Sequence, residues 1–469
     1  MAKPDYYTLS TLEKALEINL DDGRYGTFAE IGAGQEVVRW FFQAGGAAGT
    51  ISKSISAYDM QVSDAIYGDC NRYVSRERLD AMLAYEQDLT RARLQESRGS
   101  HARFFTFADT VSARNYHGTN ECHGWMGFRF QAEPGAEDSS IVIHVRMLDD
   151  NNAAQQEAIG VIGVNLIHSA AFLHTDPAGL VKALTDNLSR DRVEIDMIDV
   201  SGPAFAGMDN RVMTLRLVEL GLTGAAMFAA NGEVLQPSEA LRKRPLLVQR
   251  GRFRPVTHVN LDMLQCSLQK FSTVSGVAVD EILPILEISM HNLKEDGNVS
   301  LEDFVSRAEV AAATGCTVMI SDFRQYHRLA AYLSRYTKAP IGLPLGLATL
   351  RSLFDEQYYA DLDGGILEGF GRLFRQQLKL LIYPLKNADS GAIEDLSNLN
   401  PASELRHLLD YLQTRGYLIP LDTVTHQYLD IHSPEVLGLI ARGDDAWKTM
   451  VPTAVATKIV EQNLFGYPG

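Results

Sequence analysis

From residue 151 onward the chain changes rhythm, and this change constrains its fold more than any other feature. Short apolar runs alternate with helical stretches at the spacing of β-α units. The pattern predicts strands over 158–167, 193–200 and 225–230, with helices over 176–188 and 209–220 between them. Asp176-Pro177 and Asp209 supply helix starts, and Gly221 supplies a stop. After a basic bridge, 242–254, helices are expected over 262–271, 280–293 and 301–313. The rhythm then resumes, with strands over 317–321, 340–345 and 378–383 around helices over 324–336 and 365–377. Such alternation calls for a largely parallel sheet flanked by helices.

Residues 1–150 read differently. A short helical pattern at Leu9, Leu12 and Leu16 precedes an extended run over 27–32 and a helical run over 33–42. A charged helix is expected over 75–95. Strands over 104–108, 125–131 and 140–147 follow, with a loop at 133–138. The expected fold class is α/β: a largely parallel, helix-flanked sheet in the central region, a β-containing N-terminal region and a helical C-terminal segment. The corresponding regions are 1–150, 151–386 and 387–469, with the polar stretch 387–401 as a linker.

The chain has 469 residues, an apolar content of 46% and a formal net charge of −16. It can bury a full core without disulfide or metal staples. The acidic balance disfavours bulk nucleic-acid binding, which needs Lys and Arg to neutralise phosphates. No apolar run approaches the roughly 18 residues of a membrane span. Cys70, Cys122, Cys266 and Cys316 are scattered, without a C-x-x-C pair. The N-terminus lacks a basic segment followed by an apolar one. The expectation is a cytoplasmic protein with reduced thiols and no membrane partner.

Six motifs bear on chemistry. Glu30-Ile31-Gly32-Ala33-Gly34-Gln35-Glu36 sets close glycines between a strand and a helix. That geometry brings backbone N–H groups to a nucleotide or to S-adenosylmethionine, although Glu36 would repel an anion and a tight turn is the plainer reading. His117, Glu121, Cys122, His123 and His144 gather loop and strand imidazoles for acid–base work, or are ordinary hydrogen-bonded histidines. Glu194, Asp196 and Asp199 alternate along one strand. A buried carboxylate there needs a partner or has a function. Asp209, before Asn210 and Arg211, is a helix cap or a site residue.

Arg242, Lys243, Arg244, Arg250, Arg252 and Arg254 form a local basic patch. The last three, on alternate positions of a strand, would clamp phosphates or form a solvated face. The 295–304 segment superficially resembles a calcium loop, but its glycine and acidic residues are out of register, so Ser300 with Asp303 reads as a helix cap. Asp361-Leu362-Asp363-Gly364-Gly365 opens a helix. The patterns G-x-x-x-x-G-K-[ST], G-x-S-x-G and H-E-x-x-H do not occur.

Four stretches, FAEIGAGQEVVRWFFQAGGAAGTISKSISAYDM, AIGVIGVNLIHSA, FRPVTHVNLDMLQCSLQKF and VMISDFRQYHRLAAYLSRYTKAPIGL, lie within 28–385. Together they resemble a family of long bacterial proteins, some of which carry the label nicotinate- or nicotinamide-nucleotide adenylyltransferase. The resemblance implies adenylyl transfer on a nucleotide-binding fold. The H-x-G-H motif of that chemistry is absent, so the resemblance carries over no catalytic residue.

These readings converge on an enzyme acting on a nucleotide or phosphorylated metabolite, with nucleotidyl transfer as one expected reaction and a divalent metal accompanying the nucleotide. Asp196 and Asp322, at strand ends, are the expected catalytic carboxylates. Glu30, Gln35, Arg211 and Arg252 are the expected ligand contacts. The alternatives are a non-catalytic scaffold and a methyltransferase using the Glu30 loop. A homo-oligomer is expected in either of the first two cases.

Overall fold

The computed structural model describes residues 8–33, 35–117, 120–295, 298–375 and 377–468, and the protein is a mixed α/β chain. It divides into two compact units, 1–223 and 224–469. The boundary therefore follows the strand at 193–201 and does not coincide with the change of rhythm at 151.

In the first unit α1 (Thr11–Asn19) leads to β1 (Arg24–Gly32), α2 (Val37–Ala44), β2 (Ile51–Ile55), α3 (Met60–Tyr67) and α4 (Arg76–Arg98). Then come β3 (Arg103–Ser112), β4 (Cys122–Gln131), β5 (Asp138–Met147), α5 (Asn152–Phe172), α6 (Pro177–Ala183), β6 (Val193–Ser201) and α7 (Asn210–Glu219). The sheet order is β2-β1-β3-β4-β5-β6. Strand β1 runs parallel to β2 and β3, and the later neighbours are antiparallel. One face carries Phe28, Phe105, Phe107, Met126, Phe128 and Ile143, packed against Val37 and Phe41 of α2 and Ile159 and Ile162 of α5. On the other face α4 lies so close that a Cβ on Gly127 would meet Leu83 Cδ1 at 2.7 Å.

The segment 158–167, expected as a strand, is the middle of α5. This helix is buried on every side from Ala158 to Ala171, so its sequence shows no 3.6-residue polar stripe. Its glycines mark close helix packing: a Cβ on Gly163 would lie 2.2 Å from Val37 Cγ2, and one on Gly160 2.8 Å from Trp40 Nε1. Helix propensity favours Gly163→Ala by roughly 0.5–1 kcal/mol. Overpacking costs roughly 1–3 kcal/mol. The variant is therefore expected to lower the urea midpoint, and an unchanged or raised midpoint would show that α2 gives way freely.

The second unit opens with β7 (Ala225–Phe228), β8 (Val234–Leu235), α8 (Pro237–Ala240), β9 (Leu246–Arg250), α9 (His258–Ser275), β10 (Leu283–Ser289) and α10 (Met290–Leu293). A ribbon of β11 (Lys294–Glu295) and β12 (Asn298–Val299) precedes α11 (Leu301–Ala312), β13 (Thr317–Ser321), α12 (Tyr326–Tyr336), β14 (Ile341–Gly346), α13 (Leu347–Leu353), α14 (Gly365–Leu373) and β15 (Leu378–Tyr383). A second ribbon, β16 (Leu385–Lys386) with β17 (Ile393–Glu394), leads to α15 (Arg406–Thr414), β18 (Leu418–Pro420), α16 (Ser433–Arg442) and α17 (Thr453–Gln462).

The sheet order is β18-β15-β14-β9-β10-β13-β7-β8. All pairings from β18 to β13 are parallel, and β7 and β8 add antiparallel edge strands. Chain order runs outward from β9 in one direction through β10 and β13, then returns to continue through β14, β15 and β18. This is a doubly wound sheet whose order reverses between β9 and β14.

Two further expectations change here. The segment 280–293, expected as a helix, is centred on β10, which is buried along nearly its whole length. A continuous apolar run of this kind satisfies either period. The 387–401 stretch is not an open linker, because Leu396 and Leu399 join the core of this unit. Among the described residues no helix is long and apolar enough to cross a membrane. The four thiols are unpaired.

Candidate functional site

Antiparallel pairing of β4, β5 and β6 places His123 opposite Arg146, Trp125 opposite His144 and Arg146 opposite Glu194. The alternation of each strand turns these side chains to the α4 face, away from the apolar core. The register shifts after His144, which pairs with Met197 while Val145 pairs with Ile195. Asp196 is the extra residue of that bulge. A bulge re-aims a side chain without ending the sheet.

Asp196 is 0% exposed and His144 2%. Asp196 Oδ1 lies 2.6 Å from His144 Nδ1, and His144 Nε2 lies 3.1 Å from His123 Nδ1. Hydrogen-bond logic orders the protons. A carboxylate accepts, so His144 Nδ1 donates to Asp196. In neutral His144, Nε2 then accepts from His123 Nδ1, leaving the Nε2 lone pair of half-buried His123 at the outer end of the line. The Trp125 ring meets the edge of His144 at 5.0 Å and fixes its plane.

Burial first, then the positive charge His144 carries whenever it is protonated and that of Arg72, push the proton affinity of His123 down to about 4. His123 is therefore neutral at pH 7. The geometry offers a relay path, because the Nδ1–H of His123 points along its hydrogen bond to His144 Nε2. Ion pairs flank the line. Arg146 bridges Glu194 and Glu121, the latter at 2.8 Å. Arg76 reaches Asp199 at 2.9 Å. The hydroxyl of Thr223 donates to Glu194 at 2.9 Å. Burial nevertheless raises the proton affinity of Glu194.

The structure thus joins two sequence motifs, the histidine group and the Glu194–Asp199 run. Trp125, Arg146 and Arg72 were not singled out from the sequence. The alternation of β4 was the available signal for Trp125, because it shares a face with His123. His117 is exposed, and the neighbouring Gly118 and Thr119 lie outside the described residues.

Glu30 is buried, and its carboxylate accepts the backbone N–H groups of Gln35, Val37 and Val38 at 3.0, 2.9 and 3.2 Å. These are the amides at the start of α2, so this end of the glycine loop is capped by the protein's own anion. Gly34 of that motif lies outside the described residues. Gln35 sits at φ +83° and donates from Nε2 to Ser56 Oγ at 2.8 Å. Asp209 caps α7 through the Arg211 N–H, and the Arg211 guanidinium folds back onto it at 2.6 Å.

In the second unit Asp322 is exposed just past β13, with its N–H bonded to Gly224 O. Arg252 is exposed in the turn after β9. The expected one-faced stripe of arginines is divided. Arg250 is half-buried against Glu287 at 2.6 Å and Tyr326, and Arg254 pairs with Asp303 at 2.6 Å. Asp196 and Asp322 belong to separate units. Ser300 caps α11 as expected, accepting the Asp303 N–H at 3.2 Å. Asp296 and Gly297 of the calcium-like segment lie outside the described residues. Among the described residues no group of three or more His, Cys, Asp or Glu is arranged to hold a metal ion.

No protein-family description matches the chain, and neither does any curated protein. Among solved structures, similar ones include the competence/damage inducible protein CihA from Agrobacterium tumefaciens, at 14% identity and a TM-score of 0.25, over 34% of this chain and 96% of that one. A competence or damage-inducible protein from Enterobacter asburiae matches at 16% identity and a TM-score of 0.25, again over 34% and 96%. A CinA superfamily protein from Klebsiella pneumoniae matches at 15% identity and 0.24, over 35% and 96%. These likenesses carry no site residue to this chain.

Proposed function

We propose that the first unit is an enzyme domain acting on a phosphate-bearing metabolite, nucleotides included, with His123 as its proton-transfer group. The observation behind this reading is the line Asp196–His144–His123. A buried carboxylate orients a buried imidazole, which in turn orients a half-buried one. That is the support a general base needs to take a proton from a hydroxyl or water and hand it on. Arg72, exposed and close enough to depress His123, is the cation that would meet an anionic substrate group. An anion placed against Arg72 would offset its effect and make His123 more basic when substrate is bound.

The test screens nucleotides and phosphorylated metabolites by thermal shift and by their consumption. One chemical class is expected to raise the melting temperature and be turned over. His123→Gln, which keeps the hydrogen-bonding shape, is expected to retain the shift and lose turnover by about 10²–10⁴-fold. Unchanged turnover in that variant, or no response to any compound, would reject the reading.

A further inference from the structure

Strand β4 lies between β3 and β5, so His123 has a neighbouring strand on each side. On the β5 side its Nδ1 meets His144 Nε2 at 3.1 Å. The opposite edge of the imidazole, which carries Nε2, is therefore turned to β3. The β3 residue directly across from His123 is Ser112. Opposed residues of an antiparallel pair share a face, with Cβ atoms roughly 4.5–5.5 Å apart. A serine hydroxyl and an imidazole can bridge that gap. Ser112 and His123 are both half-buried, whereas Thr110, Trp125 and His144, one row further in, are buried. A substrate can thus reach the serine and the outer imidazole but not the groups behind them.

The hydrogen bonds around Ser112 leave its proton for His123. Asn120 accepts the Asn115 N–H through Oδ1 at 2.6 Å and donates from Nδ2 to Ala113 O at 2.8 Å. Those two backbone contacts fix which end of the amide is which. The same Nδ2 donates to Ser112 Oγ at 3.4 Å. Ser112 accepts there, so its O–H is the donor available to the His123 Nε2 lone pair. Every proton then points one way: from Ser112 to His123, from His123 to His144, and from His144 to Asp196. In such a line a base activates a nucleophile while further groups hold the base in place. The contact between nucleophile and base tightens when substrate binds.

We propose that Ser112 is the nucleophile of this site and carries the phosphoryl group of a phosphate monoester between two half-reactions. This rests on the reading of His123 as the proton-transfer group. In the first half Ser112 Oγ bonds to phosphorus as the bond from phosphorus to the leaving oxygen breaks. The serine proton passes to His123 Nε2 and from there to the leaving oxygen, which departs as an alcohol. In the second half water attacks phosphorus and gives a proton to His123. Phosphate then leaves, and Ser112 Oγ recovers that proton. Arg72, whose charge reaches His123, favours an anionic phosphoryl group over a neutral acyl group.

A biotinylated fluorophosphonate tests the serine on the full-length protein. Its phosphorus is expected to bond to Ser112 Oγ with loss of fluoride, and peptide mass spectrometry locates the adduct. His123→Gln is expected to slow this labelling by about 10²–10⁴-fold. Ser112→Ala is expected to abolish it, and to cut turnover of para-nitrophenyl phosphate as deeply as His123→Gln does. Should the alanine variant not fold, Ser112→Cys is expected to lose the fluorophosphonate adduct, take iodoacetamide at that position and show the same loss of turnover. An adduct elsewhere, or none on the folded protein, would overturn the serine. Ser112→Ala turning over at the parent's rate while His123→Gln does not would also overturn it, and would leave His123 acting on water. Both variants at the parent's rate would reject His123 as well. A parent that releases nitrophenol from para-nitrophenyl acetate and not from the phosphate would overturn phosphoryl transfer.

Discussion

Asp196→Ala is expected to cost the fold about 1–3 kcal/mol, the scale for leaving a buried donor without its acceptor. The carboxylate is fully buried, and its loss leaves the Nδ1–H of equally buried His144 without its acceptor. Asp196→Asn should cost much less stability, because an amide oxygen still accepts from His144. It should remove turnover almost as completely as alanine, because no charge remains to stabilise an imidazolium. The asparagine variant therefore separates the two roles. Urea unfolding reads one and consumption of substrate reads the other. If alanine unfolds at the parent's midpoint, the hydrogen-bonded line does not hold the sheet.

His123 adds a pH signature. Its proton affinity in the fold, about 4, lies below the ordinary 6.5. Between those values the unfolded chain binds more protons than the folded one. Stability must then fall as pH drops from 6.5 towards 4, by at most about 3 kcal/mol. His123→Gln should flatten that part of the profile. The Asp196 charge supports protonation of His123, so Asp196→Asn should push its titration lower still.

Asp109→Asn is expected to act in the opposite direction on the pH scale. Asp109 and Glu30 face each other in register on the parallel strands β1 and β3, both buried. Burial raises the proton affinity of Glu30 against the pull of three backbone N–H groups. Burial and the neighbouring Glu30 raise that of Asp109 well above its usual range. Asp109 Oδ2 has no hydrogen-bond partner among the described residues. The folded chain thus holds protons that the unfolded chain releases. This contribution is complete below the ordinary carboxylate range and is lost as pH rises through the folded value of Asp109. Asparagine imitates the protonated acid. The variant should match the parent near pH 3 and exceed it near pH 9 by roughly 1–3 kcal/mol, the scale of an uncompensated buried polar group. Melting curves across that range decide it, and parallel profiles would show that Asp109 holds no proton.

Much of the local structure could be read directly. The strands at 317–321 and 378–383 match the expected bounds, and α4 and α12 carry the periodicity that announced them. The hairpin of β4 and β5 was legible as two strands around a loop, and one register then pairs His123 with Arg146 and Trp125 with His144. The glycine loop was also visible, but not that Glu30 would turn back to cap its helix. Nor could the sequence show that Arg250, Arg252 and Arg254 would have different environments, because that depends on Glu287 and Asp303 from other strands and helices.

The amino-acid sequence by itself determined which segments favour helix or strand wherever one face meets water, because there the alternation of polar and apolar residues records the period. It also determined the mixed α/β class. Tertiary structure alone decided the rest: that 158–167 is a helix, that the strand order reverses at β9, and that a bulge delivers Asp196 to His144. A helix buried on all sides carries no periodic signal. Strand order and bulge register are set by packing between segments far apart in the chain, where the free energy belongs to the contact and to neither segment alone.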